Sequence, residues 1–194
     1  MQPFRVLIVF ASSHGQTRKI AEVIAARLRE HGAVVDLHDA NAGTPPPPDA
    51  YDIVGLGSRV HRGKHARSIH NYIDRNLSSL LARHNFFFSV SVTASEQPHV
   101  ADPGNYILDT IWTTAWRPDL SVAFAGALPY RKYNVARRLL MKLRSSRHGD
   151  PRDTQRDYVF TDWGQVRAFA DKVAGWAGSP RLPERALGAR RRVS

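Results

Sequence analysis

The first 38 residues combine a buried strand, a polar loop, a helix and a second strand in one short unit. The apolar, β-branched run Arg5–Phe10 is typical of a strand buried on both faces. Residues 17–30 follow with apolar side chains at helical spacing, and Gly32 ends that pattern. Residues 34–38 predict the second strand. A strand, a crossover helix and a strand in this order predict a parallel sheet and an α/β fold.

The same alternation continues along the rest of the chain. The pattern predicts strands over 52–57, 86–92 and 120–125, helices over 66–81, 106–115 and 163–176, and a second extended piece over 157–161. We therefore expect a three-layer sandwich, with a five-stranded parallel sheet between two layers of helices. Ligands in such sheets bind beyond the carboxyl ends of the strands, where the loops 11–17, 57–65 and 93–105 would lie.

The loop between the first strand and the first helix has the composition of a phosphate site. It consists of Ser12, Ser13, His14, Gly15, Gln16 and Thr17. Hydroxyl groups, a glycine that permits close approach and the unpaired N–H groups of a helix start all favour an anion there. The loop has neither the Gly-Lys-Ser/Thr ending of a Walker loop nor the Gly-x-Gly-x-x-Gly pattern of a dinucleotide loop. Alternatively, Ser12, Ser13 and Thr17 only cap the helix.

The spacing Ser-Ser-x-Gly-x-Thr after the first strand resembles the phosphate loop of flavodoxins. The resemblance implies FMN as the cofactor, with its phosphate on residues 12–17. It also implies that two later loops flank the flavin ring, namely Ser58, Arg59, Val60, His61, Arg62 and Gly63 in one and Thr93, Ala94 and Ser95 in the other. Neither set contains an aromatic residue. The basic residues of the first set are alternatively only a solvated surface.

Several further motifs resemble a single family. They are His14-Gly-Gln-Thr-Arg18, Trp116-Arg-Pro-Asp119, Ala125-Gly-Ala-Leu128 with Tyr130 and Tyr133, and Thr161-Asp-Trp163 with Tyr158, Gln165 and Val166. In this order and spacing they are similar to the flavodoxin-type menaquinone-dependent protoporphyrinogen oxidases of bacteria. The resemblance implies FMN-dependent oxidation of protoporphyrinogen IX to protoporphyrin IX in haem biosynthesis, in three two-electron steps, with the electrons passed to a membrane quinone. We name no catalytic side chain.

The resemblance also implies one flavodoxin-like domain over residues 1–177, whose fifth strand is split by an insert over about 127–156. The strand pattern agrees, because a basic stretch separates 120–125 from 157–161. The remaining residues, 178–194, are rich in Arg and Pro, and we expect them to form a flexible basic tail.

The positive charge of the chain is concentrated in that insert. The formal net charge is +11, and residues 130–156 contain nine Lys or Arg against two Asp. Because apolar residues share one face of a predicted helix there, residues 130–147 can lie on an anionic membrane surface. No run reaches the roughly 18 apolar residues of a membrane span. We therefore expect a peripheral protein on the cytoplasmic face of the inner membrane.

Other partners are also possible for the insert. Its apolar stripe can pack on the domain, with the basic residues in solvent. Alternatively, Arg131, Arg137 and Arg138 can pair with the two propionates of a porphyrinogen. Nucleic acid is disfavoured as a partner, because no recognised nucleic-acid motif interrupts the α/β pattern.

Two alternative functions stay open at this point. A flavodoxin-type electron carrier or quinone reductase would share the phosphate loop, and a flavin-free module would bind only through the basic insert. The chain has no cysteine, which excludes thiol chemistry. His61, His65 and His70 lie close in sequence but lack acidic or thiol partners, so we predict no metal site. Trp112 and Trp116 are more typical of a core than of a ring-stacking site.

Overall fold

The structure, a computed structural model, describes residues 3–97, 100–128 and 158–179. The longer strands are β1 (Arg5–Ala11), β2 (Val34–Asp39), β3 (Ile53–His61), β5 (His84–Ser91) and β6 (Leu120–Ala125). The two-residue strands are β4 (Lys64–His65), β7 (Ala127–Leu128) and β8 (Tyr158–Val159). The helices are α1 (Gln16–Glu30), α2 (Arg67–Leu81), α3 (Thr93–Glu96), α4 (Tyr106–Thr114) and α5 (Trp163–Ala174), and a 3-10 turn covers Pro48–Ala50.

The five longer strands form one parallel sheet, as predicted, and its strand order is β2-β1-β3-β5-β6. The short strand β4 pairs antiparallel with the end of β3. From β1 the chain crosses to β2 on one side, and it then returns to β3 on the other side. The strand order therefore reverses at β1, which opens a crevice beyond the carboxyl ends of β1 and β3.

The central strand β1 buries both of its faces, which explains its unbroken apolar sequence. Val6, Ile8 and Phe10 belong to the core that includes α1 and α5. Leu7, Val9 and Ala11 belong to the core that includes α2 and α4. Successive side chains of a strand point to opposite faces, so one seven-residue run supplies both cores. The predicted three-layer arrangement is thus confirmed.

Two glycines of β3 make room for phenylalanine rings on β5. Gly55 is paired with Phe86, and Gly57 is paired with Phe88. A Cβ atom placed on either glycine would lie 2.0 Å from the ring of its partner. The rings therefore cover the glycine backbone directly, and close packing at this point depends on the missing side chains.

The second extended piece, expected to complete the fifth strand, has a different partner. β8 pairs antiparallel with β7 in a separate two-stranded sheet. The parallel ladder ends where the Gly126 N–H donates to the Ser91 carbonyl, because β5 stops at Ser91 and offers no further partner. The chain after Gly126 pairs instead with the chain that returns from the insert. Among the described residues, no helix has the length and apolarity to cross a membrane.

Candidate functional site

A cleft lies at the carboxyl ends of β1, β3 and β5, where the strand order reverses. Its lining residues are Ser12, Ser13, His14, Gln16, Thr17, Arg59, Val60, His61, Val90, Ser91, Val92, Gly126 and Ala127. The sheet topology thus brings together the loop after β1, the end of β3, the end of β5 and the first residues after β6. This is the position at which open α/β sheets bind their ligands.

The loop between β1 and α1 is shaped by Gly15. This residue is the N-cap of α1 and has a left-handed backbone with φ of 95°. A Cβ atom at Gly15 would meet nothing within 4 Å, so the loop is open on that side. The N–H of Gly15 donates to the Ser12 hydroxyl at 3.1 Å, which closes the loop into a tight turn. Glycine is needed here because other residues rarely adopt this conformation.

The start of α1 presents backbone donors to the cleft. The N–H of Lys19 is the first to bond back into the helix, at 3.0 Å from the Gly15 carbonyl. The N–H groups of Gln16, Thr17 and Arg18 precede that bond and have no partner in the helix. Within the described part of the chain no side chain caps α1, so the interpretation of the loop serines as simple caps is wrong. The uncapped positive end of the helix dipole favours an anion.

Hydrogen bonds from other elements hold this loop in place. Asn41, just after β2, donates from Nδ2 to the Ser12 carbonyl at 3.1 Å, and it accepts from the Ser68 hydroxyl at 2.9 Å. Gln16 donates from Nε2 to the hydroxyl of Thr161 at 2.7 Å. The loop is therefore shaped by the fold itself, so less ordering is required when a ligand binds.

The second predicted loop is a β-hairpin, and the expectation of a loop over 57–65 is wrong. Residues 58–61 continue β3, and the chain turns at Arg62 and Gly63 before it returns as β4. Both turn residues have positive φ, 52° and 76°, as in the two-residue turns that join twisted strands. The pairs Val60–His65 and His61–Lys64 make the hairpin. Such local pairing between polar residues leaves no apolar alternation to detect in the sequence.

Arg59 has a donor that is suited to a bound ligand. Its Nε atom is buried and has no hydrogen-bond partner among the described residues. Because an unpaired buried donor is costly, an acceptor on a ligand in the cleft would stabilise this arrangement. Ser58 is itself buried and bonds to Ala66 N–H and the Arg59 carbonyl, so it shapes the hairpin. Ser58, Arg62 and Gly63 are not among the residues that line the cleft.

The third predicted loop begins with a short helix, so the expectation of a loop is wrong over 93–96. The N–H of Ala94 donates to the Ser91 hydroxyl at 3.1 Å, and the Ser95 hydroxyl donates to the Val92 carbonyl at 2.6 Å. These bonds build the corner after β5. Thr93, Ala94 and Ser95 do not line the cleft, whereas Val90, Ser91 and Val92 do. Any contact of the former three with a flavin stays a prediction.

Five lining residues were missed by sequence reasoning, namely Val90, Ser91, Val92, Gly126 and Ala127. They lie at the ends of β5 and β6, beside the strands that carry the predicted residues. Val90, Ser91 and Val92 fall inside the predicted strand 86–92, so they lay before the predicted loop 93–105. Gly126 and Ala127 follow the predicted strand 120–125, whose carboxyl end was not among the three predicted site loops.

The histidines and tryptophans divide between core and surface. Trp116 is fully buried, as predicted, but Trp112 is 74% exposed, so the core expectation for Trp112 is wrong. His65 is buried and bonds to the Thr110 and Ser89 hydroxyls at 2.7 and 2.9 Å. Burial, with a smaller effect from His70, lowers the pKa of His65 to about 4 and keeps it neutral. No group of metal-binding side chains gathers within the described residues.

Two predicted segments lie outside the described residues. The first is the basic stretch 130–147 with Arg131, Arg137 and Arg138, which falls within the undescribed 129–157. The second is the tail, of which only 178 and 179 are described.

Sequence comparison identifies the family of this chain. The flavodoxin domain family matches residues 7–155. Protoporphyrinogen IX dehydrogenase (quinone) of Escherichia coli strain K12 is 30% identical over 179 residues, which is 92% of this chain and 99% of that protein. The chain belongs to the flavodoxin-type protoporphyrinogen dehydrogenase family. Like other members of this dehydrogenase family it is an oxidoreductase. The Leishmania major protein of the same name is 31% identical over 175 residues, covering 88% of this chain and 74% of that protein.

Comparison with a solved structure supports the same fold for this chain. The oxidised flavodoxin 1 of Bacillus cereus superimposes with a TM-score of 0.52 and 14% identity, covering 88% of this chain and 97% of that one. The α/β flavodoxin-like architecture is therefore confirmed. Because the flavodoxin domain family matches residues 7–155, the chain is a flavoprotein of the flavodoxin type. The cleft residues fit such a cofactor, because an uncapped helix start suits its phosphate and the unpaired Arg59 Nε suits an acceptor on it.

Proposed function

We propose that the cleft binds FMN, with the phosphate on residues 12–17. The uncapped start of α1, the open space at Gly15 and the hydroxyls of Ser12, Ser13 and Thr17 support this placement. The cofactor then extends along the ends of β3 and β5, past Arg59 and His61. The described residues that line the cleft include no Phe, Tyr or Trp, so their contribution to holding the ring would come from the hairpin backbone and polar side chains.

We further propose that the reaction is the oxidation of protoporphyrinogen IX to protoporphyrin IX, with a membrane quinone as the electron acceptor. The observation that supports this best is the 30% identity to the E. coli dehydrogenase over 99% of its length. The reaction removes six hydrogens in three two-electron steps, each of which reduces one quinone to a quinol. It would belong to haem biosynthesis.

The residues of the cleft would support this reaction by binding and orienting the cofactor. When bound, FMN supplies the two-electron acceptor that no side chain provides. The start of α1 would hold its phosphate, and the bonds that Asn41 donates to Ser12 and Gln16 donates to Thr161 keep this loop in place. The end of β3 forms one wall of the cleft, where Arg59 and His61 would contact a bound flavin. Such a site would contribute orientation, because it would hold the flavin and the substrate in a fixed relative position.

An anaerobic turnover assay tests the reaction. FMN-loaded protein is mixed with protoporphyrinogen IX and a soluble quinone, and porphyrin fluorescence is followed. We expect porphyrin formation that depends on the quinone, since without it each bound flavin accepts electrons only once. Protein stripped of FMN and buffer alone, each with the same quinone, give the background of uncatalysed oxidation. A rate equal to that background would reject the proposed reaction.

We also propose that residues 130–147 attach the protein to an anionic membrane surface, on the cytoplasmic face of the inner membrane. The charge and apolar stripe of this segment support the proposal. Each basic residue near such a surface contributes about 1 kcal/mol, so binding should weaken strongly with salt.

Vesicle flotation tests this attachment. Vesicles with anionic lipid should bind the wild-type protein at low salt, and neutral vesicles should not. The variant R137Q/R138Q/K142Q should bind much more weakly. The matched control R75Q/R167Q/K172Q removes the same charge from exposed positions of α2 and α5 and should bind like wild type. If both triple variants lost vesicle binding to the same extent, binding would depend on the net charge of the protein and the proposed role of residues 130–147 would be rejected.

A further inference from the structure

A second cavity lies beside the cofactor cleft. Its volume is about 530 Å³, within the range of small-molecule sites. It is bounded by the β3–β4 hairpin, the start of α2 and one side of α4. The walls include Lys64, His65, Arg67, His70, Tyr106 and Trp112. None of these six residues lines the cleft itself.

The cavity and the cleft share a wall. In the hairpin, His61 is paired with Lys64, and Val60 is paired with His65. His61 and Val60 line the cleft, whereas Lys64 and His65 line the cavity. On the other side, the Tyr106 hydroxyl lies 3.4 Å from the Thr93 hydroxyl, at the helix that follows β5. A molecule in the cavity would therefore be separated from the cleft only by one two-stranded hairpin.

Trp112 gives the cavity an exposed aromatic surface. Its side chain is 74% exposed, whereas Ile107, Thr110 and Thr114 of the same helix are buried. A tryptophan this exposed is unusual in a folded domain. An exposed indole that lines a cavity is suited to stack against a ring system.

The charges around the cavity favour an acid. Lys64 and Arg67 are exposed cations, and no ion pair among the described residues engages either of them. Asp109 is the acidic residue in the wall. Burial lowers the pKa values of His65 and His70, so both are neutral hydrogen-bonding groups at pH 7. The wall thus carries one net positive charge, from two exposed cations and one carboxylate.

We propose that this cavity binds the porphyrinogen substrate, with a pyrrole ring against Trp112 and the carboxylates at Lys64 and Arg67. The assignment rests on the proposed function, and it adds the position of the substrate and the residues that select it. An uncharged quinone would gain nothing from the two cations. A dicarboxylic tetrapyrrole uses both the aromatic surface and the charge, and it lies next to the hairpin that bounds the cofactor cleft.

Binding without turnover tests the aromatic contact. Protoporphyrin IX, the stable product, is titrated into FMN-loaded full-length protein, and Kd is read from porphyrin fluorescence anisotropy. We expect W112A to raise Kd about fivefold, which corresponds to about 1 kcal/mol for the loss of one aromatic stack, and W112F to restore most of the affinity. The control L108A removes an exposed apolar side chain of the same helix outside the cavity and should bind like wild type.

The charge contact has its own variants. K64Q/R67Q should raise the porphyrin Kd about tenfold and reduce its dependence on salt. R75Q, on an exposed position of α2 that does not line the cavity, should change neither. In turnover, W112A and K64Q/R67Q should raise the KM for porphyrinogen and leave the KM for quinone unchanged. An increase confined to the KM for quinone would overturn the assignment.

The outcomes distinguish a failure of the proposed substrate site from a failure of the proposed reaction. If the wild type forms porphyrin and both cavity variants bind porphyrin as it does, the site is rejected and the reaction stands. If the wild type forms no porphyrin but W112A still weakens porphyrin binding, the reaction is rejected and the site stands.

Discussion

Gln16 donates from its side-chain nitrogen to the hydroxyl of Thr161 at 2.7 Å, across 145 positions of the chain. The same hydroxyl donates to the Ala125 carbonyl at 2.6 Å. One threonine therefore connects the first residue of α1, the end of β6 and the turn before α5. The loop over residues 12–17 is therefore held in part by a residue that follows the basic insert in the sequence.

Removing this hydroxyl should weaken the cofactor site. We expect T161V to lower FMN affinity about fivefold and to destabilise the fold by roughly 1 kcal/mol, because Gln16 loses its acceptor. T161S keeps the hydroxyl and should bind FMN nearly as wild type does. Flavin fluorescence quenching on the apoprotein measures the affinity, and urea unfolding measures the stability. Equal affinity in T161V and T161S would contradict the role of this hydrogen bond.

Gly15 and Gly32 allow the effect of backbone strain on stability to be distinguished from an effect on FMN affinity. Gly15 precedes α1 and Gly32 follows it, both have positive φ, and a Cβ atom on either would meet nothing within 4 Å. G15A and G32A should therefore lose similar stability, about 1 kcal/mol each, from backbone strain alone. Only G15A should also lower FMN affinity, since it changes the loop that carries the donors. Thermal unfolding and FMN titration on both variants check this, and reduced FMN affinity in G32A would count against the assignment.

The buried histidine should make stability depend on pH. His65 has a pKa of about 4 in the folded chain, against about 6.5 when unfolded. Between these values the unfolded chain binds the extra proton, so stability falls as pH drops from about 6.5 towards 4, by up to about 1.4 kcal/mol per pH unit. Carboxylates such as Asp171 titrate in the wild type and in the variant H65Q alike. Their effect therefore cancels in the difference between the two unfolding free energies. Urea unfolding at several pH values should give a difference that shrinks towards low pH, and a constant difference would refute the buried neutral state.

The glycines under the phenylalanine rings test the packing of the sheet. G55A places a Cβ atom 2.0 Å from the Phe86 ring, so we expect a loss of at least about 3 kcal/mol or failure to fold. G43A is a suitable control, because its Cβ atom would meet only His38 Nε2 at 3.9 Å. It should stay within about 0.5 kcal/mol of wild type. Soluble yield and the urea midpoint of unfolding measure the stability of both variants. A stable G55A would contradict the prediction and show that the Phe86 ring can move away from residue 55.

Local patterns identified most of the elements. The unbroken apolar run of β1 and the helical spacing of 17–30 are carried by consecutive residues, so the strand and helix could be read from the sequence. The loop 12–17 could be proposed as a phosphate site for the same reason, because all of its groups lie within six residues. The later motifs at Trp116 and Thr161 identified the family, although their structural roles were not visible.

What the sequence by itself determined, then, is the α/β alternation and the family, and it also located the loop 12–17 that is proposed to bind a phosphate. The tertiary structure alone decided the β3–β4 hairpin, the exposure of Trp112 and the bond between Gln16 and Thr161. These features depend on groups from distant parts of the chain, or on pairing between polar residues that have no apolar period. Neither kind of contact leaves a local pattern, because burial and hydrogen bonding are settled only when the separate elements pack together.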